Sequence, residues 1–360
     1  MSASPEFARL SWCLLLRGSA AVVFCATVAL SAHAQNWNEV DFLPHSDFQA
    51  VRVEEAVVRS AYTAGFPLRL RGVVLNDNED WLDPTADYDP GPEVHLWQLG
   101  GQAEIFVQAV DLPGDTWDDG DFGGTACWMG QNYGNHVIHQ DAIYSYTDAE
   151  WYAELDRLHL WREESAVVPL VRAGDLVEIR AWAGLYYGGK MNVNEQHNRN
   201  SGWDFEIEIL QQGYGLPTPE EIALSALKDA ADVALFDPTR ATGGERYQAT
   251  LVEIQNVRLT DDSGWSADAD LTVTDDTGRT LEVHLGRDES FQSCPAPAGW
   301  FNVTGILNQE SDGGTDGYRL LVMHAGHVSP IPEPTTLTLL VAGAAMLAFW
   351  VRRRPARRNA

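Results

Sequence analysis

Basic residues are scarce in this sequence. Only 24 Lys and Arg stand against 52 Asp and Glu in 360 residues, a formal charge of −28. Residues 1–34 hold two Arg and one Glu, and residues 335–360 hold five Arg and no acid. That leaves 17 basic and 51 acidic residues between them, a net charge of −34. Such a surface excludes a nucleic-acid backbone as partner, because phosphate binding needs positive charge. It suits a soluble exported protein whose copies repel one another. Cysteine is also sparse, with four in the chain. Cys13 and Cys25 lie near the N-terminus, so the body keeps Cys127 and Cys294. Neither has a Cys or His two to four residues away, which argues against a zinc site. The nucleophile elbow, the P-loop and the dinucleotide fingerprint are all missing.

Long apolar runs are confined to the two ends. At the N-terminus Arg9 and Arg17 precede an apolar run over 19–30, and Ala32-His33-Ala34 follows with small residues at the −3 and −1 positions. This pattern is a secretory signal peptide over 1–34, cleaved by signal peptidase after Ala34. The run is short for a membrane anchor, and Phe24 before Cys25 is wrong for a lipoprotein. At the C-terminus Ile331-Pro332-Glu333-Pro334 precedes an apolar stretch over 335–351, then Arg352, Arg353 and Arg354, then Arg357 and Arg358. Seventeen helical residues span about 26 Å at 1.5 Å each, barely enough for one transmembrane helix. The Arg cluster holds the far end in the cytoplasm and stops transfer. The segment between the two ends is therefore expected outside the inner membrane.

The order of Pro332-Glu333-Pro334, a short span and a terminal Arg cluster resembles a PEP-CTERM sorting tail over 331–360. The alternative is an ordinary single-span anchor. The resemblance implies a membrane protease, exosortase, that recognises the motif and releases or transfers the exported part. It also implies a bacterium that makes extracellular polysaccharide. The expected location is an inner-membrane intermediate, then the cell surface or extracellular matrix. The membrane is a partner only through the C-terminal helix, before processing.

Between the ends, strand signals dominate. The segments 68–75, 93–98, 104–110, 175–182 and 204–210 are rich in β-branched and apolar residues or alternate with period two, as half-buried antiparallel strands do. One helix interrupts them: Thr147 and Glu150 form a capping box, and Trp151, Leu155 and Leu158 make one apolar stripe. Three strands, a helix and two strands is the order of an OB-fold. Residues 35–65 are an N-terminal extension and 66–212 the first OB-like β-domain. In 213–243, Thr218, Pro219 and Glu221 cap an Ala-rich stretch read as a helical linker. Residues 244–330 form the second OB-like β-domain, with strands over 248–259 (bent near Asn256), 271–274, 281–285, 301–307 and 318–323 and no obvious internal helix. Its VRLTDDSGW (257–265), TVTDDTG (272–278), FNVTGILNQ (301–309) and GYRLLV (317–322) are similar to OB-like domains beside PEP-CTERM tails. The fold class is mainly β: two small OB-like β-barrel domains joined by a helical linker, plus the signal peptide and a C-terminal single transmembrane helix.

The candidate binding residues are Lys190, Asn192 and Asn194, alternating on one side of the last hairpin of the first barrel, with Glu195 just beyond. That side is expected to face outward with Tyr186 and Tyr187 flanking a groove, while Met191 and Val193 pack inward. The competing reading is an edge strand protected by polar groups. Cys127 and Cys294 are candidates for a disulfide across the two domains, with two separate buried thiols as the alternative. His136, His139 and Asp141 could ligate a metal, or be loop residues facing solvent. Asp115, Asp118, Asp119 and Asp121, and separately Asp77, Glu79, Asp80, Asp83, Asp87 and Asp89, could cage Ca²⁺, although neither loop has the EF-hand spacing. Trp117, Trp128, Tyr133 and Trp182 suit either sugar stacking or a core. The expected function is a non-catalytic, surface-sorted structural or binding protein of the extracellular polysaccharide layer, with no cofactor. The alternatives are a secreted metal-dependent hydrolase and a Ca²⁺-dependent adhesion module.

Overall fold

The computed structural model describes residues 35–88, 100–112, 120–131, 145–161, 169–195, 204–311, 313–332, 344 and 346. Asn36–Ala360 forms one unit. The signal-peptide reading with Ala32 and Ala34 lies outside the described residues. So do Glu333, Pro334, Arg352, Arg353, Arg354, His136, His139 and Asp141, and the strand expected over 93–98. No helix among the described residues is long and apolar enough to cross a membrane.

The architecture is mainly β. The N-terminal extension holds a one-turn helix, α1 (His45–Phe48), and a hairpin of β1 (Val51–Glu54) and β2 (Val57–Ser60). Asp121 caps α1, accepting from the backbone N–H of His45 at 2.7 Å and of Ser46 at 2.9 Å. The first large sheet follows: β3 (Leu68–Val74), β4 (Gln102–Gln108), β5 (Gly124–Gly130), α2 (Asp148–Arg157), β6 (Leu176–Ala181), β7 (Gly184–Tyr187), β8 (Lys190–Asn194) and β9 (Phe205–Gln211). Its order is β7-β8-β5-β4-β3-β6-β9. β6 leads through Trp182 and Ala183 into β7, so this one stretch pairs with β3 at its start and β8 at its end.

The capping box of α2 is formed on both sides, with Thr147 N–H donating to Glu150 Oε2 at 2.9 Å. Trp151, Leu155 and Leu158 enter the core with Leu70, Ile105 and Ile179, as the helical stripe requires. On β9, Phe205 and Ile207 are buried while Glu208 is exposed. Glu178 on β6 is a buried carboxylate. Arg69 grips it with two hydrogen bonds of 2.9 and 2.8 Å, and Arg180 adds one of 2.6 Å. Arg69 in turn lies 3.9 Å from the ring centre of Phe42, so the N-terminal extension covers this part of the sheet.

The linker differs from expectation. Residues 213–243 contain no α-helix; they hold β10 (Glu220–Ile222), parallel to the next strand, and a 3-10 turn at Leu224–Ala226. Ile222, Leu224 and Leu227 bury themselves on the second sheet. Asp232, at φ +61°, accepts from the N–H and hydroxyl of Thr280 at 2.8 and 2.7 Å. Tertiary burial outweighs the helix preference of the alanines, worth only tenths of a kcal/mol per residue.

The second sheet contains β11 (Thr250–Leu259), β12 (Asp270–Thr274), β13 (Thr280–Leu285), the one-turn helix α3 (Ser290–Ser293), β14 (Phe301–Gln309), β15 (Tyr318–Val322) and β16 (Val328–Pro330). Strands β11-β12-β13-β15-β14 close on themselves through β11–β14, making a five-stranded barrel. The bend near Asn256 is present: this residue has φ +56° and the register shifts between Ile254 and Val257, as a β-bulge does. The short helix α3 between β13 and β14 was not anticipated.

The two sheets share an apolar cluster of Leu75, Trp81, Phe106 and Ala126 from the first and Ala249, Leu251, Ile306, Leu321 and Met323 from the second. Their backbones approach closely there. Gly124 N–H donates to Gln248 O at 3.0 Å, and a Cβ on Gly124 would collide with the Ala249 carbonyl. This contact is the seam on which the candidate site lies.

Of the two readings of Cys127 and Cys294 the structure has separate thiols, although only Cys127 is buried. Cys127 is a free thiol inside the first core, and Cys294 is a free, exposed thiol at the end of α3. Position 127 faces its own core because neighbours on β5 alternate, with Ala126 turned to the seam.

Candidate functional site

The site begins with a turn. β7 and β8 are joined by Gly188 and Gly189, at φ +66° and +91°. Two positive-φ residues are what a tight two-residue hairpin turn demands. Both positions also lie against side chains of the segment after β14. A Cβ on Gly188 would lie 2.8 Å from Glu310 Oε2, and one on Gly189 would collide with the Gln309 amide. Ser311 N–H donates to Gly188 O at 2.9 Å, which seats the turn on the segment after β14.

Burial corrects the candidate binding face. Lys190 is 2% exposed, Asn192 3%, Asn194 5% and Glu195 2%. The period-two alternation holds, with Met191 and Val193 in the first core, but the polar side meets protein instead of solvent. Lys190 Nζ donates to Gln309 O at 2.8 Å and Glu310 Oε1 at 2.7 Å. Asn192 Nδ2 donates to Tyr187 O at 3.2 Å, tying the hairpin together. Glu195 accepts from the Tyr146 hydroxyl at 2.8 Å and Gly130 N–H at 3.2 Å. Burial pushes its carboxyl up to about 8. These groups are structural partners, and no groove opens over them.

The groove lies next to them. A cleft of about 600 Å³ is bounded by the β7–β8 turn, the β1–β2 hairpin and the segment after β14. Tyr186 and Tyr187 line this cleft and not one over Lys190, and Tyr187 is 65% exposed. Across from them stand Val57, Val58 and Arg59 of β2, whose backbone is fixed by Val58 N–H donating to Gly313 O at 2.9 Å. Glu310 and Ser311 complete the lining with Gly188, Gly189 and Gly313.

Charge in this region is arranged in pairs. Glu310 Oε1 accepts from Lys190 and from Asn308 Nδ2 at 3.0 Å, while Oε2 takes no hydrogen bond from the described residues. Arg59 has its guanidinium 3.7 Å from Glu54 and stays exposed. Behind Lys190, Glu104 accepts from Trp81 Nε1 at 2.5 Å. Burial pushes the Glu104 carboxyl up to about 7, against the pull of the Lys190 charge.

The acidic loop at Asp77–Asp87 is engaged by the protein in its described part. Asp77 accepts from Ala173 N–H at 2.8 Å, Arg172 reaches Glu79 at 2.9 Å, and Arg287 reaches Asp83 at 2.7 Å. Asp80 is pushed up to about 6, first by burial and then by neighbouring carboxylates. Among the described residues, no group of three or more His, Cys, Asp or Glu could hold a metal ion. Asp121 serves as the cap of α1; Asp89, Asp115, Asp118 and Asp119 lie outside the described residues, as do Trp117 and Tyr133.

Sequence reasoning found the two tyrosines and missed Glu310 and Arg59. Glu310 is 120 positions from Lys190, and only the packing of the second sheet on the first brings it there. No protein-family model matches this chain, and no curated protein matches it.

Proposed function

We propose that this chain is an exported, surface-sorted, non-catalytic binding protein of an extracellular polysaccharide layer. In this reading signal peptidase cuts after Ala34 and exosortase acts at Pro332-Glu333-Pro334. Residues 335–351 form the transient transmembrane helix, and Arg352, Arg353 and Arg354 stop transfer. Both sheets are OB-type barrels. Strands β3, β4, β5, the β6–β7 stretch and β8 correspond in pairing to β11, β12, β13, β14 and β15, and each set has a parallel pair (β5–β8 and β13–β15). In each, a helix falls between the third and fourth strands.

The observation that carries the binding role is the seam cleft. The turn between the fourth and fifth strands of the first barrel meets the corresponding segment of the second there, and the cleft between them is open to solvent. The sorting role is supported at the chain's exit. β16 is held antiparallel on β14, and Ile331 N–H donates to Trp300 O at 2.8 Å. The chain is thus pinned to the barrel up to the residue before Pro332. The test is fractionation of a host that carries the sorting protease. Wild-type protein is expected without its Arg-rich tail, and Glu333→Ala is expected at full length in the membrane. Wild-type protein that keeps its tail at steady state refutes the sorting role.

A further inference from the structure

We infer that the seam cleft binds a neutral oligosaccharide, with Tyr187 as the stacking platform and Glu310 and Arg59 as the hydrogen-bonding groups. This rests on the reading of the chain as an exported binding protein and names the ligand class and the residues that select it.

Three observations lead there. The first is shape. At about 600 Å³ the cleft falls in the range of small-molecule sites, about 300–1,000 Å³. The face of β4 and β5 that OB-folds often offer to ligands is closed here, because Phe106 and Ala126 pack against the second barrel. The cleft at the turns lies outside that covered face and is open to solvent.

The second is the platform. Tyr187 is 65% exposed at the tip of a hairpin whose turn is held by Ser311 N–H donating to Gly188 O at 2.9 Å. An exposed ring beside an anchored turn offers an apolar face with a polar tip, which matches the C–H face and hydroxyl rim of a pyranose.

The third is charge. One oxygen of Glu310 is held by Lys190 and Asn308, so the carboxylate is oriented before any ligand arrives. Its other oxygen can accept only, and neighbouring sugar hydroxyls are donors. Arg59 supplies donors on the opposite wall. A cationic ligand would meet Arg59, and an anionic one would enter against a chain of net charge −28. A neutral polyol satisfies both walls.

The test is calorimetric titration of the full chain, in a detergent without a sugar headgroup, against cellohexaose, maltohexaose and mannohexaose, with hexagalacturonate as the charged comparison. At least one neutral hexaose is expected to bind, and hexagalacturonate is not. Tyr187→Ala is expected to weaken binding by about tenfold or more, the equivalent of about 1.4 kcal/mol, while Tyr187→Phe stays near wild type. Glu310→Gln is expected to weaken it comparably. If Glu310→Gln melts early, Tyr187→Ala, at an exposed position, decides alone. The inference is overturned if no neutral hexaose binds, if hexagalacturonate binds as well as they do, or if Tyr187→Ala binds like wild type. Such failure beside normal tail removal leaves the sorting role standing. Binding that depends on Tyr187 in a protein that keeps its tail refutes sorting and leaves the cleft.

Discussion

Lys190→Met is the most direct probe of the seam. The substitution keeps the apolar stem and removes only the ammonium. Lys190 is 2% exposed, so water cannot easily take its place, and it makes two hydrogen bonds across the seam, to Gln309 O and Glu310 Oε1. Breaking a buried ion pair by removing one partner typically costs about 3–5 kcal/mol. The Glu310 side chain is 31% exposed, and solvent can reach part of its carboxylate. That places the expected loss at the lower end, about 3 kcal/mol. With a urea m-value of about 3 kcal/mol/M, the midpoint falls by about 1 M. Glu310→Gln is expected to lose less, because its amide oxygen still accepts from Lys190. The double mutant is expected to be less damaged than the sum of the two, as contacting residues are. A midpoint for Lys190→Met within about 0.2 M of wild type means that Lys190 is not needed at the seam, and the burial argument fails.

Two further outcomes follow from buried titratable groups. In the mature chain, two thiols are expected to titrate under denaturing conditions without reductant, whereas in the folded protein only Cys294 reacts readily. Cys127 is buried, and desolvation pushes its thiol up; fewer than two thiols in denaturant refutes this. For pH, burial raises Glu104 to about 7 and Glu195 to about 8 from an ordinary 4.5. The folded state therefore holds protons that the unfolded state has released, and these groups lose stability as pH rises through that window. His45 and His327, both lowered by burial, act in the opposite direction below about 6.5. The net expectation is a decline in urea midpoint from pH 6.5 to 8 that Glu195→Gln makes shallower. A midpoint that rises over this interval refutes it.

Where a segment carries its own period, the sequence was enough to place it. The capping box of α2 and the apolar alternation of β9 depend on neighbours three or two positions away, and both are present. The bulge at Asn256 was legible because the apolar run breaks phase there. β5 was missed because GTACWMG has a glycine at each end and no alternation. Its residues are buried on both sides, Cys127 in the first core and Ala126 in the seam. Alternation reports a strand with one wet face, and β5 has none. The linker was misread for a related reason. Its alanines favour a helix, but Ile222, Leu224 and Leu227 gain more by lying flat on the second barrel.

The site shows where such reading stops. A polar residue on a strand needs a partner, and the sequence does not say whether that partner is water. Lys190 is one of only two lysines in the chain, which makes it conspicuous as a ligand-binding candidate. Its partners lie 119 and 120 positions away, in a different barrel. Read within its own sheet, its side chain faces solvent; with the second sheet in place, it faces a carbonyl and a carboxylate. The glycines hold the same double meaning. Gly188 and Gly189, at φ +66° and +91°, suit the tight turn, and they also lie against the second sheet. Glu310 and Gln309 press on them from the other barrel. The residues that looked like the site are therefore structural partners beside the cleft, and Tyr187, Glu310 and Arg59 stand at its walls because the two sheets meet there.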